Sequence, residues 1–64
     1  ETLIEHVALR EAISSLAEKE QMVIVLRYYR GLTQNQTAKI IGISQVQVSR
    51  VEKKAVEKLR KYLE

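Results

Sequence analysis

Apolar residues recur at spacings of three and four through most of this chain, with polar residues filling the intervals. Leu9, Ala12, Ile13 and Leu16 share one face of a first helix, which Ile4 and Leu3 extend toward the amino terminus. Ser15 with Glu18 offers a capping box, so a second helix is predicted to begin near Ala17. The run from Met22 to Leu26, followed by Tyr28 and Tyr29, would serve equally as a buried strand or a buried helix. A lone strand would find no partner for its backbone groups, and Gly31 is well placed to end a helix, so helix is the expectation. Two further capping boxes, Thr33 with Gln36 and Ser44 with Gln47, start two more helices. The last carries Val48, Val51, Ala55, Leu59 and Tyr62 as one inner stripe and should run to about Leu63. The pattern predicts an all-α fold: a compact four-helix domain with a long carboxy-terminal helix.

Between Gln34 and Lys53, small, glycine and apolar residues fall where a helix-turn-helix needs them. Ala38 permits close approach of the two helices, and Gly42 sits where the chain must turn with a positive φ. Ile41, Ile43, Val48 and Val51 fill the angle between the helices. The motif is placed at about residues 33–53, and its second helix is oriented to enter the major groove of DNA. A tight helix pair in a three-helix core makes some of the same demands without touching DNA.

Size and composition narrow the alternatives. Sixty-four residues make one small domain, and without cysteine no disulfide can support it. His6 is the only histidine and has no cysteine beside it, so neither a metal site nor a cofactor is expected. It is read as an ordinary helix residue and not as a phosphoacceptor. A few short helices offer no pocket with converging reactive groups, so an enzyme is not expected. No apolar run approaches a membrane span, and the acidic, helical start is unlike a signal peptide, which gives the expectation of a soluble protein with no membrane partner. Because the chain begins on Glu1 inside a helical pattern, it is expected to be a carboxy-terminal piece of a larger protein.

The net charge is +3, and its location says more than its size. From Ser44 onward six basic residues face three acidic ones, whereas residues 1–43 balance at five of each. All the excess therefore lies on the proposed recognition helix and its extension, as a phosphate footprint requires, although a solvated Lys/Glu face would also produce it.

An advance of about 100° per residue, with the apolar stripe set inward, turns Val46, Ser49, Arg50 and Lys53 outward and leaves Gln45 and Gln47 on the shoulders of the first turn. Arg50 can pair with a guanine edge, and Gln45 with adenine or with a phosphate. Val46 gains nothing from water but would pack on a thymine methyl group; an incidental exposed valine is the competing reading. For Arg50 and Lys53 the competing readings are a surface ion pair or a phosphate contact. Thr33, Gln34 and Asn35 open the preceding helix, where free N–H groups can hold a phosphate or simply be capped.

The run EKEQMVIVLRYYRGLTQNQTAKIIGISQVQVSRVEKKAVEKLR resembles region 4 of bacterial RNA polymerase sigma factors, most nearly the alternative factors of the sporulation, stress and flagellar groups. The likeness spans residues 9–61. It is most specific in the element from Leu16 to Glu20, the LRYY after the apolar run, GLTQ, GISQVQVSRVEKKA and the closing KLR. The resemblance implies a cytoplasmic promoter-binding domain that reads the minus-35 element through its helix-turn-helix and docks on the flap of the polymerase β subunit. Carried over by position, Gln45, Val46, Gln47, Ser49 and Arg50 occupy the DNA-contacting turn, and Ile24, Leu26, Tyr28 and Tyr29 fall in the flap-facing region. Primary sigma factors carry arginine, glutamate and arginine where this chain has Gln45, Val46 and Gln47, so the resemblance implies an alternative promoter class. Two other readings stay open: a LuxR-type DNA-binding domain, and a module whose apolar surface from Met22 to Tyr29 binds polymerase or an anti-sigma factor.

Overall fold

In a computed structural model, which describes the backbone of residues 2–64 and side chains from residue 8 onward, the chain folds into four α-helices. They are α1 (Thr2–Ser14), α2 (Glu18–Ile24), α3 (Gln34–Ile41) and α4 (Gln45–Leu63). No strand occurs among the described residues, and the Met22–Leu26 run is helical as expected. The facing of Leu3, Ile4 and His6 lies outside the described side chains.

The first connection differs from its sequence expectation. Ser15 does not cap α2; its hydroxyl donates to the Ala12 carbonyl at 2.6 Å. The N-cap is Ala17, which has no side-chain oxygen to offer, and the Glu20 carboxylate accepts the Ala17 N–H at 3.0 Å. Half of a capping box thus does the work of a whole one, from a residue two positions later than the Glu18 that Ser15 would have used. Gln21 completes the junction by donating to the carbonyls of Ser14, at the end of α1, and Leu16, in the link that follows, at 3.2 and 2.9 Å.

Immediately after α2, Val25–Tyr29 forms a π-helical turn, which the apolar pattern did not foretell. Arg30 donates to the Val25 carbonyl at 3.0 Å, and Gly31 then reverses the chain at φ 70°. The other two capping boxes form as the sequence implied. Thr33 Oγ1 accepts the Gln36 N–H at 3.0 Å, and Ser44 Oγ accepts the Gln47 N–H at 3.1 Å. Gly42 closes α3 in the left-handed conformation at φ 87°, where it and Ile43 both donate to the Ala38 carbonyl.

Helix α4 packs across all three others and divides the core in two. Toward its start, Val48 joins Val23 and Ala38, flanked by Ile41, Ile43 and Val51. Further along, Ala55 joins Leu16 and Ile24, flanked by Ile13, Val56 and Leu59. Val23 and Val48 are fully buried, and each such valine contributes about 1.5–3 kcal/mol. Along α4 the two clusters are separated by Glu52, itself buried at 9% exposure. The inner stripe stops sooner than its period suggests. Tyr62 lies beside Arg10, Glu11 and Ser14 of α1 but remains 52% exposed, because these neighbours are polar and themselves exposed and offer no apolar surface to cover it.

Candidate nucleic-acid interface and docking groove

Capping at Ser44 fixes where α4 begins, and the core side chains Val48, Val51 and Ala55 fix its rotation. Together they decide which residues the first two turns present. Gln45, Val46, Gln47, Ser49, Arg50 and Lys53 are all exposed, Val46 by 54%. Val46, Ser49, Arg50 and Lys53 occupy the outward face that helical geometry assigns them, and Lys54, Arg60 and Lys61 continue the basic surface beyond.

The polar side chains around this face are not equally free. Gln47 is committed locally: its Oε1 accepts the Ser44 N–H at 3.2 Å. Thr33 is the N-cap of α3, and its backbone N–H donates to Gln36 Oε1 at 2.9 Å, so its capping role is filled. Gln34 is half-buried and bonded at both ends of its amide, accepting from Gln45 Nε2 at 2.5 Å and donating to Glu52 Oε1 at 3.0 Å. The structure thereby joins Gln34 and Gln45, which the sequence had assigned separately.

Glu52 is the residue that sequence reasoning missed. Its Oε1 accepts from Arg27 Nε at 2.9 Å as well as from Gln34, and its Oε2 accepts the Tyr28 hydroxyl at 2.7 Å. Arg27 also donates from Nη1 to the Leu32 carbonyl at 2.6 Å, tying the π-helical turn to the loop that follows Gly31. Burial works to raise the Glu52 pKa, but hydrogen bonds from Arg27, Tyr28 and Gln34 outweigh it and hold the carboxyl below its ordinary value. The same contacts push the Tyr28 hydroxyl up, its bond to the Glu52 carboxylate being the first cause. The available signal was positional. Glu52 stands four residues after Val48 and three before Ala55, so a carboxylate occupied a place on the apolar stripe.

A second carboxylate behaves alike. Glu20 is 7% exposed and accepts from Lys58 Nζ at 3.1 and 2.9 Å through its two oxygens. The hydrogen bond from Lys58 holds its pKa down against desolvation. Glu20 lies in the Leu16–Glu20 element and Lys58 in the closing KLR, so the two ends of the sequence pattern meet in space.

On another side of the domain, Leu9, Ile13, Ile24, Tyr28, Tyr29, Val56 and Leu59 line an apolar groove. Three of the four residues the resemblance assigned to docking are here. Ile24 is 3% exposed and belongs to the core floor, while Tyr28 and Tyr29 are each 58% exposed on the rim. Leu26 is not with them; it lines a separate surface with Met22, Val25 and Ile40. Among the described residues, no group of acidic, histidine or cysteine side chains could hold a metal ion, and no helix is long and apolar enough to cross a membrane.

A short helix and a long one meeting at a left-handed glycine, the long one burying Val48 while the outer face of its first turns stays open, define a helix-turn-helix domain of the DNA-binding class. Residues 12–61 match the family described as sigma-70, region 4, and the chain belongs to that family. It is 48% identical over 60 residues to the RNA polymerase sigma-F factor of Bacillus subtilis (strain 168), covering 94% of this chain and 24% of that protein. The sigma-G factor of Clostridium acetobutylicum is 40% identical over 60 residues, covering 94% of this chain and 23% of that protein. The sigma-B factor of Bacillus subtilis is 38% identical over 63 residues, covering 98% and 24%. The chain thus spans about a quarter of the length of these relatives.

Proposed function

We propose that this chain is the promoter-recognition domain of an alternative RNA polymerase sigma factor, binding the minus-35 element in transcription initiation, in the cytoplasm. The observation that carries the reading is the exposed face at the start of α4. Val46, Ser49, Arg50 and Lys53 point away from a core that holds the helix rigidly from behind. Arg50 supplies the fork that matches a guanine edge, Val46 an apolar contact for a thymine methyl, and Gln45 an amide for adenine. Lys53 and the basic residues after it favour phosphates without regard to sequence. Relatives named sigma-F, sigma-G and sigma-B support an alternative class.

The apolar groove between α1, the π-helical turn and α4 suits a protein partner, and in a sigma factor that partner is RNA polymerase core, at the flap of its β subunit. An anti-sigma factor competing for the same surface is the second reading, favoured by the exposed rings of Tyr28 and Tyr29.

Selection from randomised duplexes, with the factor assembled on polymerase core, tests the proposal. An enriched upstream hexamer is expected, with Arg50→Ala relaxing one of its positions. No enrichment, together with no effect of Arg50→Ala, rules out base reading by α4. Raising the salt concentration should weaken DNA binding steeply while leaving apolar docking nearly unchanged.

A further inference from the structure

The three side chains Glu52, Gln34 and Gln45 form a line with a definite polarity that ends at the open space beyond Gln45. A carboxylate can only accept hydrogen bonds, so Glu52 Oε1 requires Gln34 to turn its Nε2 inward, at 3.0 Å. Gln34 Oε1 must then face outward, and it can only accept. Gln45 is obliged in turn to give it Nε2, at 2.5 Å. A glutamine amide on an exposed helix would ordinarily rotate between two senses at almost equal energy. Here the buried charge removes that freedom from two residues in succession.

Resting on the reading of α4 as a base-contacting helix, we infer that Glu52, acting through Gln34, fixes the amide of Gln45 in the sense that reads adenine. Gln45 spends one N–H on Gln34 and keeps its Oε1 and its second N–H. Adenine offers the matching pair in the major groove: an N6 donor for the oxygen and an N7 acceptor for the N–H. Two-point contact with adenine uses the amide oxygen and the N–H on its own side, so in this arrangement Gln34 takes the other hydrogen, the one cis to Cγ. Gln34 and Glu52 are therefore positioning residues for specificity, although neither needs to touch a base.

Glu52 is anchored well enough to impose this order. Arg27 shares Oε1 with Gln34, and the Tyr28 hydroxyl holds Oε2 at 2.7 Å, so the carboxylate cannot turn away to solvent. It also lies on the inner side of α4, three and four residues from core positions, where its backbone cannot shift without moving Val48 and Ala55.

The test compares base preference, a ratio that does not depend on how much of the protein is folded. Duplexes differing only at the base pair facing Gln45 are competed for the factor assembled on polymerase core, using wild type, Gln34→Leu, Gln45→Ala and the double variant. Wild type should prefer adenine at that pair and should lose the preference when the adenine is replaced by 7-deazaadenine or by purine without the amino group. Gln34→Leu should reduce the preference about threefold to tenfold at that pair alone, and should add nothing in the Gln45→Ala background. Glu52→Gln, which keeps the shape but lets the amides run in either sense, should relax the same pair. Undiminished preference in Gln34→Leu overturns the inference while leaving base reading by α4 intact, as does an equal loss in the presence and absence of Gln45. A wild-type factor that prefers no base anywhere in the element overturns both.

Discussion

Arg27 and Glu52 meet 25 positions apart in sequence, Nε to Oε1 at 2.9 Å, with 26% and 11% of their side chains exposed. The pair clips the π-helical turn to the middle of α4, so it joins the segment carrying the tyrosines to the helix carrying the proposed DNA contacts. Removing the cation leaves an under-compensated buried carboxylate, which costs more than the pair itself contributes. Arg27→Ala is therefore expected to destabilise the domain by about 2 kcal/mol, whereas Arg50→Ala, on the open face, should change stability by less than about 0.5 kcal/mol. Urea unfolding of the two variants in parallel checks the order, and equal midpoints would remove Arg27–Glu52 from the stabilising contacts.

The two buried carboxylates give stability a definite acid dependence. Glu20 and Glu52 are both held below the ordinary value of 4.5, so the folded state binds fewer protons there than the unfolded state. Their contribution is complete above pH 4.5 and is lost as pH falls through the depressed folded values. Tyr28 works in the opposite direction. Its pKa is raised from 10.0, so its contribution is complete below that pH and is lost as pH rises through the folded value. Unfolding midpoints followed downward from neutral pH should decline most once pH passes below 4.5, and Glu20→Gln should flatten that decline while lowering the neutral-pH value.

These contacts mark where the sequence was legible and where it was not. Helix starts at Thr33 and Ser44 depend on local side-chain-to-backbone bonds, so residues three apart were enough to find them. The inter-helix cluster of Ala38, Ile41, Ile43, Val48 and Val51 follows from period and chain reversal, which are also local. Ser15 misled because its hydroxyl turns back to donate to the Ala12 carbonyl of the preceding helix, leaving Ala17 to be capped by Glu20. The π-helical turn and the Glu52 network needed more than local rules. Glu52 bonds to residues 18, 24 and 25 positions away, and charge counting had treated it only as a subtraction from the basic total. Docking residues divided for a simpler reason: Ile24, Tyr28 and Tyr29 face one groove and Leu26 another, because Leu26 stands two residues from Ile24 and from Tyr28, about 200° round a helix.

Gly42 connects the two helices of the motif at φ 87°, and nothing lies within 4 Å of where a Cβ would sit. Substitution is therefore not opposed by a clash, only by the backbone conformation. Gly42→Ala should cost about 1 to 2 kcal/mol, and Gly42→Asn should cost less, since asparagine tolerates the left-handed region better. Thermal unfolding of both variants is the check; an alanine variant as stable as wild type would mean that the turn relaxes to another geometry.

Lys53 and Arg50 are both exposed and cationic, yet they are expected to fail differently when removed. Lys53→Ala should weaken binding to all duplexes alike and lower the slope of log affinity against log salt by about 1. Arg50→Ala should cost about 1 to 3 kcal/mol on the preferred element and much less on a duplex altered at the matching pair. Titrations at several salt concentrations, on the selected element and on that altered duplex, separate the two. If both variants lose affinity uniformly, Arg50 is a phosphate contact and specificity lies elsewhere on the helix.

Val46 provides the sharpest test of base reading, because its side chain has a single kind of contact to offer. At 54% exposure its isopropyl group is largely open to solvent in the free domain. Against a thymine methyl it would bury apolar surface on both partners, worth about 0.8 kcal/mol for each methylene-sized group covered. Replacing that thymine by deoxyuridine deletes the methyl group and leaves every hydrogen-bonding edge unchanged. Wild type should lose about threefold to fivefold in affinity on the uracil duplex, and Val46→Ser should bind the thymine and uracil duplexes equally. The contact is in the protein only if the second substitution abolishes the effect of the first. An unchanged thymine preference in Val46→Ser would assign the methyl recognition to another residue of the outward face, and Val46 would then be an ordinary exposed valine.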